Sequence, residues 1–144
     1  MAAFNKFNAF VQEIANGNIN LASDTLKLLL TNTAPVATNT LYGDISANEL
    51  ASGAGYTTGG AAVTTVSSTQ TGGIEKLIVS AANPTWTATG AMGPFRYAVL
   101  YDTTPTTPLK PLIGYWDYGA SITLASGQTF TATFDATNGV LQIS

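Results

Sequence analysis

The segment GPFRYAVLYDTTPTTPLKPLIGYWDYG, Gly93 to Gly119, gathers the groups best equipped for chemistry. It holds the only arginine, Arg96, together with Asp102, Asp117, Tyr97, Tyr101, Tyr115, Trp116 and Tyr118. Aromatic rings beside a carboxylate are the materials of a sugar-stacking platform, and paired carboxylates are those of a glycosidase. The acids Asp24, Asp44, Asp102, Asp117 and Asp135 never stand as D-x-D, and no E-x-x-E occurs. A catalytic pair would therefore have to converge from distant positions.

Other catalytic kits are missing outright. The chain has no histidine and no cysteine, which removes Ser-His-Asp and Cys-His catalysis, the usual zinc ligands and any disulfide framework. The glycine-rich piece GAGYTTGG (53–60) is one residue too long for a dinucleotide fingerprint and lacks the Gly-Lys-Ser/Thr ending of a phosphate loop. It reads as a flexible loop before a strand. No EF-hand or metal-ligand spacing occurs, so no metal and no cofactor is expected.

The elements that must position the cluster follow from its own pattern. Phe95 to Asp102 and Pro111 to Tyr118 flank TTPTTPLK, whose two prolines exclude another strand. An antiparallel hairpin with a long loop is predicted. With Asp102 opposite Pro111, Arg96 meets Asp117, Ala98 meets Tyr115 and Leu100 meets Ile113 on one face. The other face then pairs Tyr101 with Leu112, Val99 with Gly114, Tyr97 with Trp116 and Phe95 with Tyr118. In this register Arg96 and Asp117 form a structural cross-strand pair rather than a catalytic dyad. The aromatics share the opposite face, as the inner layer of a sandwich or as a ligand platform, with Gly114 leaving room among them.

Beyond the hairpin, short β-branched and aromatic runs recur about every ten residues between Gly, Asn, Pro and Ser. They are Thr25–Thr31, Ala61–Val66, Lys76–Ala81, Thr85–Thr89, Ser121–Leu124, Thr129–Phe134 and Val140–Ile143. This texture predicts an all-β fold, a jelly-roll-like antiparallel β-sandwich of about eight strands. LYGDISANEL (41–50) suggests a short helical turn capped by Asp44 or Ser46. At the N-terminus Phe4, Phe7, Val11 and Ile14 fall on one face of a short amphipathic helix that Asn16-Gly17 would stop. The division expected is a helical arm at 1–17 and a single sandwich domain at 18–144.

Charge narrows the partners. Charged residues make up 9% of the chain against about 25% in ordinary domains, and the five cations are scattered singly. Nucleic-acid binding, which needs several phosphates neutralised together, is not expected. No segment approaches the roughly 18 apolar residues of a membrane span. The opening residues lack the apolar core of a secretory signal, so a soluble protein made in the cytoplasm is expected. A surface this poor in charge suggests coverage by other subunits.

FNKFNAFVQEIANG, SDTLKLLLTNTAPVATNT, GPFRYAVLYDTTP with PLIGYWDYG, and ITLASGQTFTATFDATNGVL together resemble small virion proteins of tailed bacteriophages. The resemblance spans nearly the whole chain. It is nearest to proteins encoded beside the major capsid protein, the capsid cement or decoration type. It implies a jelly-roll-like domain without enzymatic activity or cofactor, on the capsid exterior of the virion. Such a protein binds the major capsid protein and its own copies, as a dimer or trimer, and ties neighbouring shell subunits together. On this reading Phe4, Phe7, Val11 and Ile14 dock on a neighbour or cover their own sandwich, and the loop residues Thr104, Thr106, Thr107 and Lys110 are held out to a partner. The alternatives are a tail or receptor-binding module contacting host-surface carbohydrate, and a small carbohydrate-active enzyme.

Overall fold

Leu26, Leu28, Leu29 and Leu30 are all fully buried, and they show why one strand organises the chain. Successive residues of a strand face opposite sides, so leucines at both parities need apolar cover on both faces. A computed structural model, describing residues 2–63, 67–78 and 83–144, shows that cover. The strands are β1 (Asn5–Lys6), β2 (Leu26–Thr31), β3 (Ala61–Val63), β4 (Ser67–Thr71), β5 (Ile74–Ile78), β6 (Thr85–Thr87), β7 (Met92–Asp102), β8 (Leu112–Leu124), β9 (Thr129–Thr131) and β10 (Leu141–Ile143). Helix α1 spans Asn8–Ala15, and two 3₁₀ turns span Tyr42–Asp44 and Ser46–Asn48.

The chain is an all-β antiparallel sandwich with one short N-terminal helix. A five-stranded sheet in the order β1-β8-β7-β2-β3 faces a three-stranded sheet, β10-β5-β4, and the pair β6-β9. Between these layers lie Leu26, Leu28, Leu30 and Leu100 from the large sheet with Leu77, Trp86 and Leu141 from the smaller ones. The second face of the large sheet carries a separate cluster of Phe7, Leu29, Ile45, Val99, Tyr101 and Leu112, flanked by Tyr42 and Tyr115. The two leucine parities of β2 therefore serve two cores.

Most expected strands appear, with instructive differences. Leu112–Tyr118 and Ser121–Leu124 belong to one strand, β8. β5 overlaps the expected run from Lys76, while β4 and the turn through Gly72-Gly73 are additional, because SSTQTGG offers no apolar alternation. Residues 64–66 and 79–81, the ends of two expected strands, lie outside the described residues. Asp44 serves the 41–50 turn from within. Its Oδ2 accepts from the Thr40 and Leu41 N–H groups at 2.8 and 3.0 Å, and these donors hold its carboxyl below the usual carboxylate range.

The N-terminal helix begins later than its apolar spacing suggests. Phe7 is extended, at φ −78° and ψ 147°, and its N–H donates to Ile113 O at 3.2 Å. Asn5 and Lys6 before it pair with Tyr115 and Gly114 of β8. Phe4, Phe7, Val11 and Ile14 therefore do not share one helix face, since an edge strand and an extended residue precede the first turn. Phe10, buried, and Ile14, half-buried, face the main core instead. The predicted stop is observed, with Asn16 N–H donating to Gln12 O at 2.8 Å and Gly17 N–H to Ile14 O at 3.0 Å.

Candidate functional site: an aromatic cleft and a partly apolar outer face

The β7–β8 hairpin positions the residues with chemical potential, and its register departs from expectation by one. Tyr101 does pair with Leu112, but Leu100 then pairs with Gly114, Val99 with Tyr115, Ala98 with Trp116 and Tyr97 with Asp117. A β-bulge at Ile113 adds one residue to β8 and shifts every later pair. The expected single aromatic face is thereby corrected. Tyr97 and Tyr101 stand with Val99 and Tyr115 on the outer face of the large sheet, while Trp116 stands with Ala98 and Leu100 toward the main core.

A second irregularity follows. Between the pairs Tyr97–Asp117 and Phe95–Ile122, β7 advances two residues and β8 five. Tyr118 to Ser121 are pushed outward and exposed, and the Ser121 hydroxyl lies 2.7 Å from Asn32 Oδ1. Arg96 stands opposite this bulge. It still reaches Asp117, donating from Nε at 2.8 Å and from Nη2 at 2.9 Å. The ion pair forms as expected, but diagonally rather than across one rung. The Arg96 guanidinium and the Gly119 N–H hold the Asp117 carboxyl below the ordinary range, and Asp117 raises Arg96 in turn.

Above the pair opens a cleft of about 180 Å³ between the layers. Phe95, Trp116, Tyr118, Phe130 and Phe134 supply its rings, and Arg96, Thr131, Thr133 and Asp135 are among its polar residues. Phe130 sits edge-on to Phe95 at 5.0 Å and to Tyr118 at 6.1 Å, and Trp116 tilts against Phe134 at 5.6 Å. The far side of Trp116 is covered by Phe4 at 5.3 Å. Phe4 occupies the space expected at Gly114, where a side chain would collide with its ring.

The outer face has a different character. Of the proposed docking residues, Phe7 has no exposed surface and packs into the second cluster. Phe4 and Ile14 are half-buried against the main core. The arm thus covers its own sandwich, and of these four only Val11, 51% exposed, is fully presented outward. In the loop, Thr104, Thr106 and Thr107 are exposed, and Leu109 is 57% exposed. Thr104 is also bound inward, its Oγ1 accepting from Thr25 N–H at 2.8 Å. Lys110 is half-buried, with its ammonium over the Tyr42 ring at 5.2 Å.

Val11, Val36 and Leu109 lie on three segments joined by main-chain hydrogen bonds. Asn8 N–H donates to Ala37 O at 2.9 Å, and Tyr42 N–H donates to Lys110 O at 2.9 Å. Val36, 57% exposed, borders a recess of about 150 Å³ formed with Thr33, Pro35 and Asn39. Charges on these segments are engaged: Lys110 with Tyr42, Glu13 with Asn18 at 2.7 Å, and Asp44 with Thr40 and Leu41. The result is an apolar and threonine-rich surface.

Glu49 escaped the sequence reading, and the burial of Asp102 was not part of it. Glu49 accepts from Tyr42 OH, Tyr56 OH and Gly59 N–H, each at 2.6 Å. Burial and Glu49 raise both phenols well above their ordinary range, and burial with Glu49 pushes Tyr101 up to about 12. These tyrosines stay neutral donors. Asp102 has no exposed surface, and among the described residues its Oδ2 has no hydrogen-bond partner. Its Oδ1 accepts from Thr104 N–H at 2.9 Å. Burial, followed by the neighbouring Asp24 carboxylate, pushes Asp102 up to about 7. The spacing of Tyr42, Glu49 and Tyr56, seven residues each, and an aspartate ending an apolar strand were the available signals.

No family model matches the chain, and no curated protein or solved structure matches it either.

Proposed function

We propose that the chain is a virion structural protein of a tailed bacteriophage, of the capsid cement type. It binds the outer surface of the shell and joins neighbouring copies of the major capsid protein. The observation that carries this reading is a set of exposed apolar side chains, Val11, Val36 and Leu109, on segments joined by main-chain hydrogen bonds. A contiguous exposed apolar patch with a polar rim marks a protein contact site, and the reading takes these three side chains to form one. The sequence resemblance names the kind of partner.

On this reading the face meets shell subunits and a symmetric dimer or trimer presents it several times. Each contact is modest, and joined contacts hold far more firmly than one. A rigid sandwich suits that task, because little ordering is left to be done on binding.

Electron microscopy of particles containing the chain tests the reading. Density at local two-fold or three-fold axes, with copies near those of the capsid protein, is the expected result. A signal confined to the tail would overturn it. As a second arm, Val11→Asp with Leu109→Asp removes the protein from particles while leaving its melting temperature close to that of the parent; full retention of this variant counts against the face.

A further inference from the structure

The cleft between the layers has a size, a floor and a rim that specify a ligand class. Its volume is about 180 Å³, and a dry cavity of about 150 Å³ is known to accept benzene. There is space for one six-membered ring between the walls. The walls are aromatic, with Trp116, Phe130 and Phe134 inside and Tyr118, 61% exposed, at the mouth. An apolar ring alone would need nothing more.

The rim is polar. Arg96 uses Nε and Nη2 on Asp117, which leaves Nη1 to donate outward. Tyr118 and Thr133, both with hydroxyls, also line the cleft. The charged residues lining the cleft are Arg96, whose charge Asp117 already balances, and Asp135, so an anionic ligand gains nothing. Asp135 is occupied with Thr137 and Asn138 N–H groups at 2.7 and 2.8 Å. The site therefore suits a neutral ring with an apolar face and a hydroxylated edge.

A hexopyranose has that form, its axial C–H bonds presenting an apolar face to aromatic rings and its equatorial hydroxyls forming the polar edge. We propose that the cleft lined by Trp116, Tyr118, Phe130 and Phe134 binds a single neutral pyranose ring, with Arg96 at its hydroxyls. The ring stacks on the aromatic walls, while the bidentate ion pair holds the Arg96 guanidinium in place beside the sugar edge. This activity is separate from attachment to a shell and does not rest on it.

Nuclear magnetic resonance titration of the full chain tests the proposal, with methyl glucopyranoside, methyl galactopyranoside and the methyl glycoside of N-acetylglucosamine as probes and benzene as control. At least one glycoside should give saturable shifts at the Trp116 indole N–H and at residues 130–135, with millimolar affinity. Tyr118→Ala, which removes an exposed ring, and Ala132→Leu, which fills the gap, should each weaken binding about tenfold while the rest of the spectrum is kept. Absence of saturable shifts with all three glycosides overturns the proposal. So does saturation by benzene alone, or glycoside binding that neither substitution affects.

Discussion

Arg96 grips Asp117 through two hydrogen bonds at 2.8 and 2.9 Å although the ladder pairs Asp117 with Tyr97. The guanidinium reaches diagonally because the bulge at residues 118–121 leaves Arg96 without a rung partner of its own. Both side chains remain 37% exposed, so water and salt screen the attraction. Its role is to hold β7 against an interrupted β8.

Asp117→Asn and Arg96→Gln should therefore each lower the melting temperature slightly, and the double variant should fall no further than the worse single one. Thermal unfolding followed by circular dichroism reads this directly. The difference between parent and variants should shrink in high salt, and strictly additive losses would contradict a shared interaction.

Asp102 sets a pH dependence of definite sign. Its folded-state value, about 7, lies above the ordinary 3.8, so between those values the folded state holds a proton that the unfolded chain has released. Stability from this group is full below 3.8, declines as pH rises toward about 7 and is flat above. Asp44, Asp117 and Asp135 are shifted downward, and their contributions disappear only as pH falls below the ordinary carboxylate range. Asp102→Asn should flatten the decline and raise the melting temperature on its alkaline side. Urea titrations across the window check it, and an unchanged slope in the variant would assign the decline elsewhere.

Gly114 is a steric requirement of the N-terminal strand. A Cβ there would strike the Phe4 ring and come within 2.9 Å of Asn5 O. Gly114→Ala should cost about 1–3 kcal/mol, in the range of overpacked sites. Adding Phe4→Ala to it should recover only part of the loss, because the Asn5 main chain still obstructs. A double-mutant cycle by denaturant unfolding separates the ring from the main-chain contribution.

Phe7 and Val11 divide the N-terminal segment into fold and surface. Phe7→Ala, at a fully buried site, should cost about 3–5 kcal/mol. Val11→Ser, on the exposed side of α1, should remain within about 0.5 kcal/mol. Similar losses at both positions would mean that the helix buries Val11 in solution.

The hairpin shows how far local pattern carries. Strand identity in Phe95–Asp102 and Leu112–Tyr118 was legible because β-branched and aromatic runs between prolines have one economical conformation. The Arg96–Asp117 pair was legible from charge scarcity. The bulge at Ile113 was not, since an extra residue in one strand leaves both strands equally apolar. A shift of one residue then moved Trp116 toward one core and left Tyr101 in the other. The N-terminal spacing misled for a related reason, because the periodicity of Phe4, Phe7 and Val11 was read through a strand-to-helix boundary that only pairing with β8 creates.

The sequence by itself determined the class of fold, through short alternating runs and turn residues, and it excluded histidine- and cysteine-based chemistry by composition. Tertiary structure decided what those residues became. Long-range pairing made Phe7 a core residue and Val11 a surface one, closed a cleft between Trp116 and Phe134, and buried Asp102 beside Asp24. Each outcome depends on which strand lies opposite which, and that is set by side-chain packing across the whole sandwich rather than by preferences of neighbouring residues.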